Sequence, residues 1–405
     1  MRVDDGCKGQ LNHNEAIVTD TILTLNAGSS SIKFSIYAHG EEPRELARGQ
    51  VENIGPTARL ILREAGEEKV EVALGASTHR SALHQIFTHA SDILDEGTVL
   101  GVGHRITHGG IDFVAPQELT GDVIEKLEAL APLAPLHQPH NLKGVLAAQE
   151  AFPEALQIGC FDTGFHRGHP WVNDTFGLPR KYYDKGVRRY GFHGLSYQFI
   201  TSELVRTEPK LADGKVVVAH LGNGASMCAI RDEHSVASTM GFSALDGLPM
   251  GTRCGQLDPG VMLYLMEAEG MSASEMSTML YRESGLKGLS GMSNDMRELQ
   301  GSDREEAAQA IEYYVFRIRR EIGAMAAVLG GIDGLVFCGG IGENSSVIRS
   351  KVCDGMEWLG IDLDETLNTE NARDVGVGSV RVMVIPTDEE RVIARATIAG
   401  LSTVS

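Results

Sequence analysis

The chain carries the same unusual arrangement twice: an apolar run, a turn rich in glycine and serine, and a second apolar run. The first copy is TLNAGSSSIKFSIY (residues 24–37) and the second is KVVVAHLGNGASMCAI (residues 215–230). In the first, Ile22, Leu23 and Leu25 precede the turn. Beyond it Ile32, Phe34 and Ile36 alternate with Ser31, Lys33 and Ser35, the period of a half-buried strand. Hairpins usually turn on a glycine beside Asn or Asp. These two turns instead offer exposed N–H groups and hydroxyls, a cradle for phosphate oxygens. Asn26 adds a carbonyl able to ligate a metal, and Lys33 adds a charge on the face opposite the apolar side chains. Two such units half a chain apart predict a duplicated architecture in which two jaws grip one polyphosphate.

The rest of the pattern is mixed. QIGCFD (157–162), GLVFCGG (334–340) and RVMVIP (381–386) read as strands, and 197–205 and 312–329 as amphipathic helices. A chain of 405 residues exceeds one ordinary core. The expectation is two α/β domains with mixed sheets, because the hairpins are antiparallel. The division is an N-terminal extension (1–20), a first domain (21–162) and a second, nucleotide-binding domain (163–387). A C-terminal helix (388–405) returns to the first domain. The six cysteines are scattered with no C-x-x-C pair, a usage that predicts a reducing, cytoplasmic setting. No apolar run approaches a membrane span, and the first twenty residues lack the apolar core of a signal peptide. A net charge of -19 argues against nucleic acid or an anionic membrane as partner.

Neither G-x-x-x-x-G-K-[ST] nor a complete G-x-G-x-x-G is present, so a nucleotide site must be built differently. A third glycine-rich segment, FCGGIGENSSVIRS (337–350), leaves a strand and enters a helix with Asn344 or Ser345 as N-cap. Its Gly339, Gly340 and Gly342 let a ligand approach the backbone. Arg105 in GHRITHGG and Arg253 in GLPMGTRCGQLDPG sit in glycine-rich loops, where a guanidinium suits bidentate clamping of carboxylate or phosphate. A structural salt bridge is the alternative for each. The histidine pairs His104/His108, His137/His140 and His166/His169 raise a metallohydrolase reading. The first pair lies in a glycine loop, however, and no HEXXH accompanies any of them. Most therefore read as hydrogen-bonded structural groups, and His193, between Gly191 and Gly194, as the functional one. Asp162 ends a strand where a carboxylate can orient a charged neighbour. Asp388, Glu389 and Glu390 stand at a strand-to-helix switch, as complements to a helix N-terminus or as Mg²⁺ ligands.

Together these segments closely resemble the acetate kinases of the actin-like superfamily of acetate and sugar kinases. The resemblance runs from Thr21 to about Gly400 through NAGSSSIKF, GHRITHGG, PLHQPHNL, FDTGFH, RRYGFHG, HLGNGAS, GLPMGTRCG, SNDMRE, GGIGENS and PTDEE. It implies two actin-like (ribonuclease H-like) domains around a central cleft and a homodimer. It also implies ATP-dependent phosphorylation of a short-chain carboxylate, giving an acyl phosphate and ADP, with Mg²⁺ (Mn²⁺ as an alternative). By motif, Asn26 and Glu389 would position the metal, Arg105 would bind the carboxylate, and Asp162 would be the active-site acid. His193 and Arg253 would stabilise the transition state. Lys33, His220, Leu221, Gly222, Asn223 and Gly224 would meet phosphates. Asp295, Met296 and Arg297, with Gly340, Ile341, Gly342, Glu343 and Asn344, would hold adenosine. Thr107, Leu136, His137, Phe192 and Ala244 would line the acyl pocket.

Elementary chemistry agrees with that reading. A carboxylate is ionised at neutral pH and needs no general base, so the difficulty is bringing one anion to another. Asp162 is then better suited to orienting an arginine or histidine than to abstracting a proton. Direct transfer is favoured over a phosphorylated Glu389, because a metal ligand makes a poor nucleophile. Two positions depart from the family, which usually has Val at Thr107 and Pro at Ala244; they leave acetate and propionate open. A non-catalytic actin-like ATP switch is the competing class, and a carboxylate site built from Arg105, Asp162, His193 and Arg253 argues against it.

Overall fold

The computed structural model describes residues 20–28, 30–94, 98–135 and 137–404. Leu136 and nearly all of the expected N-terminal extension lie outside the described residues. An eight-stranded sheet runs in the order β5-β4-β3-β2-β1-β6-β8-β7. Its strands are β1 (Thr21–Ala27), β2 (Ile32–Ala38), β3 (Arg44–Glu52), β4 (Ala58–Glu64), β5 (Val70–Gly75), β6 (Val99–Ile106), β7 (Gln117–Glu118) and β8 (Leu156–Phe161). A five-stranded sheet runs β11-β10-β9-β12-β13, from β9 (Lys215–Leu221), β10 (Ala225–Arg231), β11 (His234–Ser238), β12 (Gly334–Cys338) and β13 (Arg381–Val384).

The duplication suggested by the two hairpins is visible in strand order. In the larger sheet β3-β2-β1 are antiparallel neighbours and β1-β6-β8 are parallel. In the smaller, β11-β10-β9 are antiparallel and β9-β12-β13 parallel. Each core is thus a meander extended by two parallel strands. Parallel pairing brings the carboxyl ends of β1, β6 and β8 to one edge, where open α/β sheets bind ligands. Asn26, Arg105 and Asp162 fall at or just past those ends.

Strand β2 departs from the half-buried expectation. Apart from Lys33 it is buried on both faces, including Ser35 and Tyr37. The cause is layering. Leu23, Leu25, Phe34 and Ile36 pack with Ala82, Leu83 and Ile86 of the helix His79–His89 and with Ala148 of the helix Gln138–Ala151. On the other face Ile22 and Tyr37 meet Ala394 of the C-terminal helix Glu389–Val404. That helix packs on β1, β6 and β8 and on the helix Gly194–Thr207. A third cluster joins the sheets, with Ile158 and Cys160 of β8, Val216 and Val218 of β9, and Ile393. In the second core Tyr314, Ile318 and Ile322 of the helix Glu305–Leu329 pack beneath β9, β10 and β12. Among the described residues no helix is long and apolar enough to cross a membrane. The five described cysteines are free thiols.

Two glycines let the C-terminal helix lie close to the sheet. A Cβ at Gly103 would stand 2.4 Å from Ile393 Cγ2 and 2.4 Å from Thr397 Oγ1, and one at Gly101 would stand 2.7 Å from Thr397 Cγ2. Gly103→Ala therefore overpacks a buried contact and should cost about 1–3 kcal/mol, read as a lower urea midpoint. Gly121→Ala, where nothing lies within 4 Å, is the control, with an expected change within about 0.5 kcal/mol. Equal midpoints for the two variants would contradict the packing argument.

Candidate active site

Two cavities meet between the sheets. One, of about 350 Å³, is lined by the first hairpin (Asn26, Gly28, Ser31, Lys33), the β6 end (Arg105, Thr107), His137, Asn141, Asp162, Phe192, His193, Asn223, Gly224, Ala244 and Arg253. The other, of about 480 Å³, is lined by Gly222, Asn223, Asn294, Asp295, Met296, Arg297, Gln300, Gly340, Ile341, Asn344 and Ser345. Asn223 lines both, so the second glycine turn is the shared wall.

The first hairpin turn is tied down by hydrogen bonds. Gly28 N–H donates to the Ser31 carbonyl at 2.8 Å, and His79 Nε2 lies 2.6 Å from the Gly28 carbonyl. Asn141 links this turn to the end of β6, which carries Arg105: Nδ2 donates to the Ala27 carbonyl at 2.7 Å, and Oδ1 accepts from Thr107 N–H at 3.0 Å. Arg105 grips Asp162 from two nitrogens, Nη2 at 2.6 Å and Nε at 3.1 Å from each carboxylate oxygen. Its Nε also lies 3.6 Å from Glu389 Oε2, while Glu389 Oε1 accepts from the Ser196 hydroxyl. Burial raises the Asp162 carboxyl to about 6 against the pull of Arg105, with Glu389 adding to the rise; it remains ionised at neutral pH. Burial would raise Glu389 too, but Arg105, His220, the Ser196 bond and Lys33 outweigh it and hold that carboxyl below its ordinary value.

His193 caps the helix Gly194–Thr207 in the left-handed region, at φ 57°. For a residue with a Cβ that conformation costs roughly 1–2 kcal/mol. It is fixed by its neighbour: Gly194 N–H donates to the Asp162 carbonyl at 2.9 Å, and a Cβ at Gly194 would stand 2.2 Å from that oxygen. The His193 ring stacks on His220 at 4.4 Å and 22°. Burial, then His220, Arg105 and Arg253, pushes its imidazole well below the ordinary value, so it is neutral. His220 and His137 are lowered to about 4, each chiefly by burial. Arg253 donates Nη1 to the Ala244 carbonyl at 3.3 Å. Among the described residues no carboxylate lies within ion-pair distance of it, and burial followed by Arg105 lowers its pKa. A Cβ at Gly224 would stand 3.3 Å from His193 Nε2 and 3.9 Å from Arg253 Nη1. Glycine there leaves open the space beside both nitrogens.

The expected residues divide at the second cavity. Gly222, Asn223, Asp295, Met296, Arg297, Gly340, Ile341 and Asn344 line it. Leu221 and Gly342 are buried, and Glu343 Oε1 accepts from the Gly339 and Thr387 N–H groups at 2.8 and 3.1 Å. Glu343 thus ties the glycine segment to the Pro386 loop. Asp295 caps the short helix Met296–Gln300 and pairs with Arg297 Nη2 at 2.6 Å, a contact that lowers its carboxyl to about 2. Ser345, one of the two expected caps, accepts from Ile348 N–H.

Three of the remaining histidines are held in hydrogen bonds, in keeping with the structural reading. His104 Nε2 meets Gln157 Oε1 at 2.8 Å. His166 Nε2 meets the Phe192 carbonyl at 3.0 Å and its Nδ1 meets Ser235 Oγ at 2.8 Å, where His169 Nε2 also lies at 2.8 Å. Among the described residues no three His, Cys, Asp or Glu side chains are grouped to hold a metal ion. Asn141, Ser196, Tyr197, Ser226 and Gln300 carry no site role in the sequence pattern. Asn141 and Ser226 lie inside the motifs, Ser196 and Tyr197 lie just after RRYGFHG around the start of the expected helix, and nothing in their spacing marks them.

The match to the acetokinase family model covers residues 21–395. An acetate kinase of Methylocella silvestris is 55% identical over 394 residues, covering 94% of this chain and 98% of its own. One from Nitrobacter hamburgensis is 46% identical over 389 residues, covering 94% and 96%. Among solved structures, Porphyromonas gingivalis acetate kinase superposes with a TM-score of 0.85 at 39% identity over 94% of this chain and 99% of that one. A propionate kinase from Francisella tularensis superposes at 0.88 with 33% identity, over 93% and 98%. With a family match across nearly its whole length and relatives of this similarity, the chain belongs to the acetokinase family.

Proposed function

We propose that this protein is an acetate kinase, a cytoplasmic homodimer that transfers the γ-phosphoryl group of ATP directly to acetate, reversibly and with Mg²⁺. The observation that carries the reading is the half-buried Arg253, which has no carboxylate within ion-pair distance among the described residues and lies with His193 beside Gly224. A half-buried cation facing a cleft without a counter-ion calls for an anionic ligand. Acetate is already ionised, so no base is needed; the barrier is repulsion between two anions. Arg105, oriented by Asp162, receives the carboxylate. His193, neutral, donates a hydrogen bond to the transferring group, and Arg253 offsets its charge. Lys33 and the Gly222–Asn223–Gly224 turn meet the phosphates. The larger cavity, with Asp295, Met296, Arg297, Ile341 and Asn344, takes the adenosine.

Asn26 and Glu389 fit a hard cation that keeps most of its water: both offer oxygen donors. Glu389 Oε2, at 3.6 Å from Arg105, is outside hydrogen-bond range of that guanidinium. Mg²⁺ there would neutralise phosphate charge. Glu389 already accepts from Ser196 and faces Arg105, which disfavours it as a phosphorylated intermediate.

The test of the activity is acetyl hydroxamate formation from acetate, MgATP and hydroxylamine. ATP binding without hydroxamate would instead favour an actin-like switch. Arg253→Ala should lower kcat by the equivalent of about 3–5 kcal/mol with a much smaller change in KM for ATP. In contrast, Asn26→Ala and Glu389→Ala should raise the Mg²⁺ concentration needed for half-maximal rate. Near-normal turnover in the first, or unchanged metal dependence in both others, would remove those roles.

Propionate is the second substrate to weigh. Thr107 and Ala244 line the cavity, and alanine is smaller than the proline usual in the family, which would suit one more methylene. A methylene in an apolar pocket is worth roughly 1–3 kcal/mol. Thr107→Val with Ala244→Pro should lower the propionate-to-acetate ratio of kcat/KM, once folding of the proline variant is verified. A ratio that stays or rises would show that chain length is set elsewhere.

The homodimer has a candidate face. The helix Pro259–Glu267 buries none of its residues, and Val261, Leu263, Tyr264 and Met266 are exposed. Phe316, 60% exposed, lies on the helix Glu305–Leu329, whose Arg317 and Arg320 bond to Gln256 beside the same segment. Sedimentation equilibrium should give the mass of two chains, and Leu263→Asp should shift it toward one. A monomer in the unmodified protein would refute the assignment.

A further inference from the structure

His193 faces the cleft through Nε2, and what its other ring nitrogen meets decides whether that Nε2 carries a proton. Nδ1 lies 2.9 Å from Ser226 Oγ, and Ser226 Oγ in turn meets the Tyr197 hydroxyl. Tyr197 and Ser226 are both fully buried. Each hydroxyl has one proton, and the neutral ring has one.

Three proton orders are conceivable. In the first, Tyr197 donates to Ser226, Ser226 donates to His193 Nδ1, and the ring proton sits on Nε2. In the second the direction reverses: Nδ1–H donates to Ser226, Ser226 donates to Tyr197, and the tyrosine proton points into the interior. In the third, Tyr197 and Nδ1–H both donate to Ser226, and the serine proton is stranded. Among the described residues the Tyr197 hydroxyl has no hydrogen-bond partner besides Ser226, and its ring is flanked by Phe165 and His166. Only the first order leaves no buried donor unsatisfied. Burial also keeps the tyrosine protonated and the imidazole neutral, which supplies the proton count used here.

We propose that Tyr197 and Ser226 are positioning residues that hold His193 as its Nε2–H tautomer, so that the cleft meets a hydrogen-bond donor rather than a lone pair. The reverse tautomer would aim a lone pair at an anionic ligand beside Gly224. The catalytic consequence rests on the reading of His193 as a donor to the transferring phosphoryl group; the proton count does not. The placement is economical: Tyr197 lies one turn along the helix that His193 caps, and Ser226 lies on β10 directly after the second glycine turn. One loop–helix junction and one hairpin thus set both the position and the protonation of the same ring.

The test uses the full-length protein labelled with ¹⁵N in histidine. Two-bond ¹H–¹⁵N correlations report the tautomer, and the His193 signals are identified by their loss in His193→Gln. The expected result is a single Nε2–H form. Tyr197→Phe and Ser226→Ala should each mix the tautomers and lower kcat about tenfold to a hundredfold, with KM for ATP changed less than about twofold. An Nδ1–H ring in the unmodified protein would overturn the proposal, as would Tyr197→Phe with tautomer and kcat both unchanged. If neither variant folds, the spectrum of the unmodified protein decides alone. Full turnover in His193→Gln beside an Nε2–H spectrum would discard the role of His193 and leave the tautomer assignment standing.

Discussion

Asp162 is the joint on which the cleft depends. Its carboxylate holds Arg105 through two nitrogens, its N–H donates to the Ile106 carbonyl at 3.0 Å, and its carbonyl accepts from Gly194 N–H at 2.9 Å. One residue past the end of β8 therefore fixes Arg105, which the structure places within β6 rather than in a loop, and the helix that His193 caps. The approach is close enough that only glycine fits at position 194. A carboxylate at this point is buried, and burial alone would favour its neutral form; the bidentate guanidinium supplies the compensation that lets it stay charged. Removing Arg105 leaves the buried Asp162 carboxylate without its ion-pair partner, a costly loss.

The electrostatics of the cleft oppose those of the whole chain. The protein carries a net charge of -19, yet the cavity walls present Lys33, Arg105 and Arg253. Asp162 spends its charge on Arg105, and Arg253 has no acidic partner among the described residues. The histidines there add donors without adding charge, because burial keeps them neutral. A low-dielectric pocket of this kind strengthens each interaction with a bound anion, while the acidic exterior plays no part at that range.

Buried polar groups elsewhere serve geometry. Arg349 is wholly buried and bonds the Asn368 side chain and carbonyl, the Gly342 and Glu343 carbonyls and Asn371. It secures from behind the glycine segment whose front, at Gly340 and Asn344, lines the larger cavity. Glu343 secures the same segment from the side through the Gly339 and Thr387 amides. Backbone that must approach a ligand has few side chains of its own to hold it, so remote groups do so.

By itself the sequence determined the two hairpins with their glycine turns and the existence of β8, β12 and β13, although β12 stops at Cys338, where a helix begins at Gly339, and Arg105 lies in β6 rather than in the expected loop. These are local properties: apolar period, turn chemistry and the absence of any helical role for Arg105 and Arg253 are legible within a dozen residues. Tertiary structure alone decided the rest. That β2 is buried on both faces follows from a helix more than 350 positions away in the chain. That Arg105 pairs with Asp162, while Arg253 has no ion-pair partner among the described residues, depends on which strand ends the parallel pairing brings side by side. Asn141, Ser196, Ser226 and Tyr197 carry no signal of their own, because a lone hydroxyl or amide acquires a role only from the group it meets across the fold. Local pattern specifies elements; hydrogen-bond partners are set by three-dimensional adjacency, which no spacing within one segment encodes.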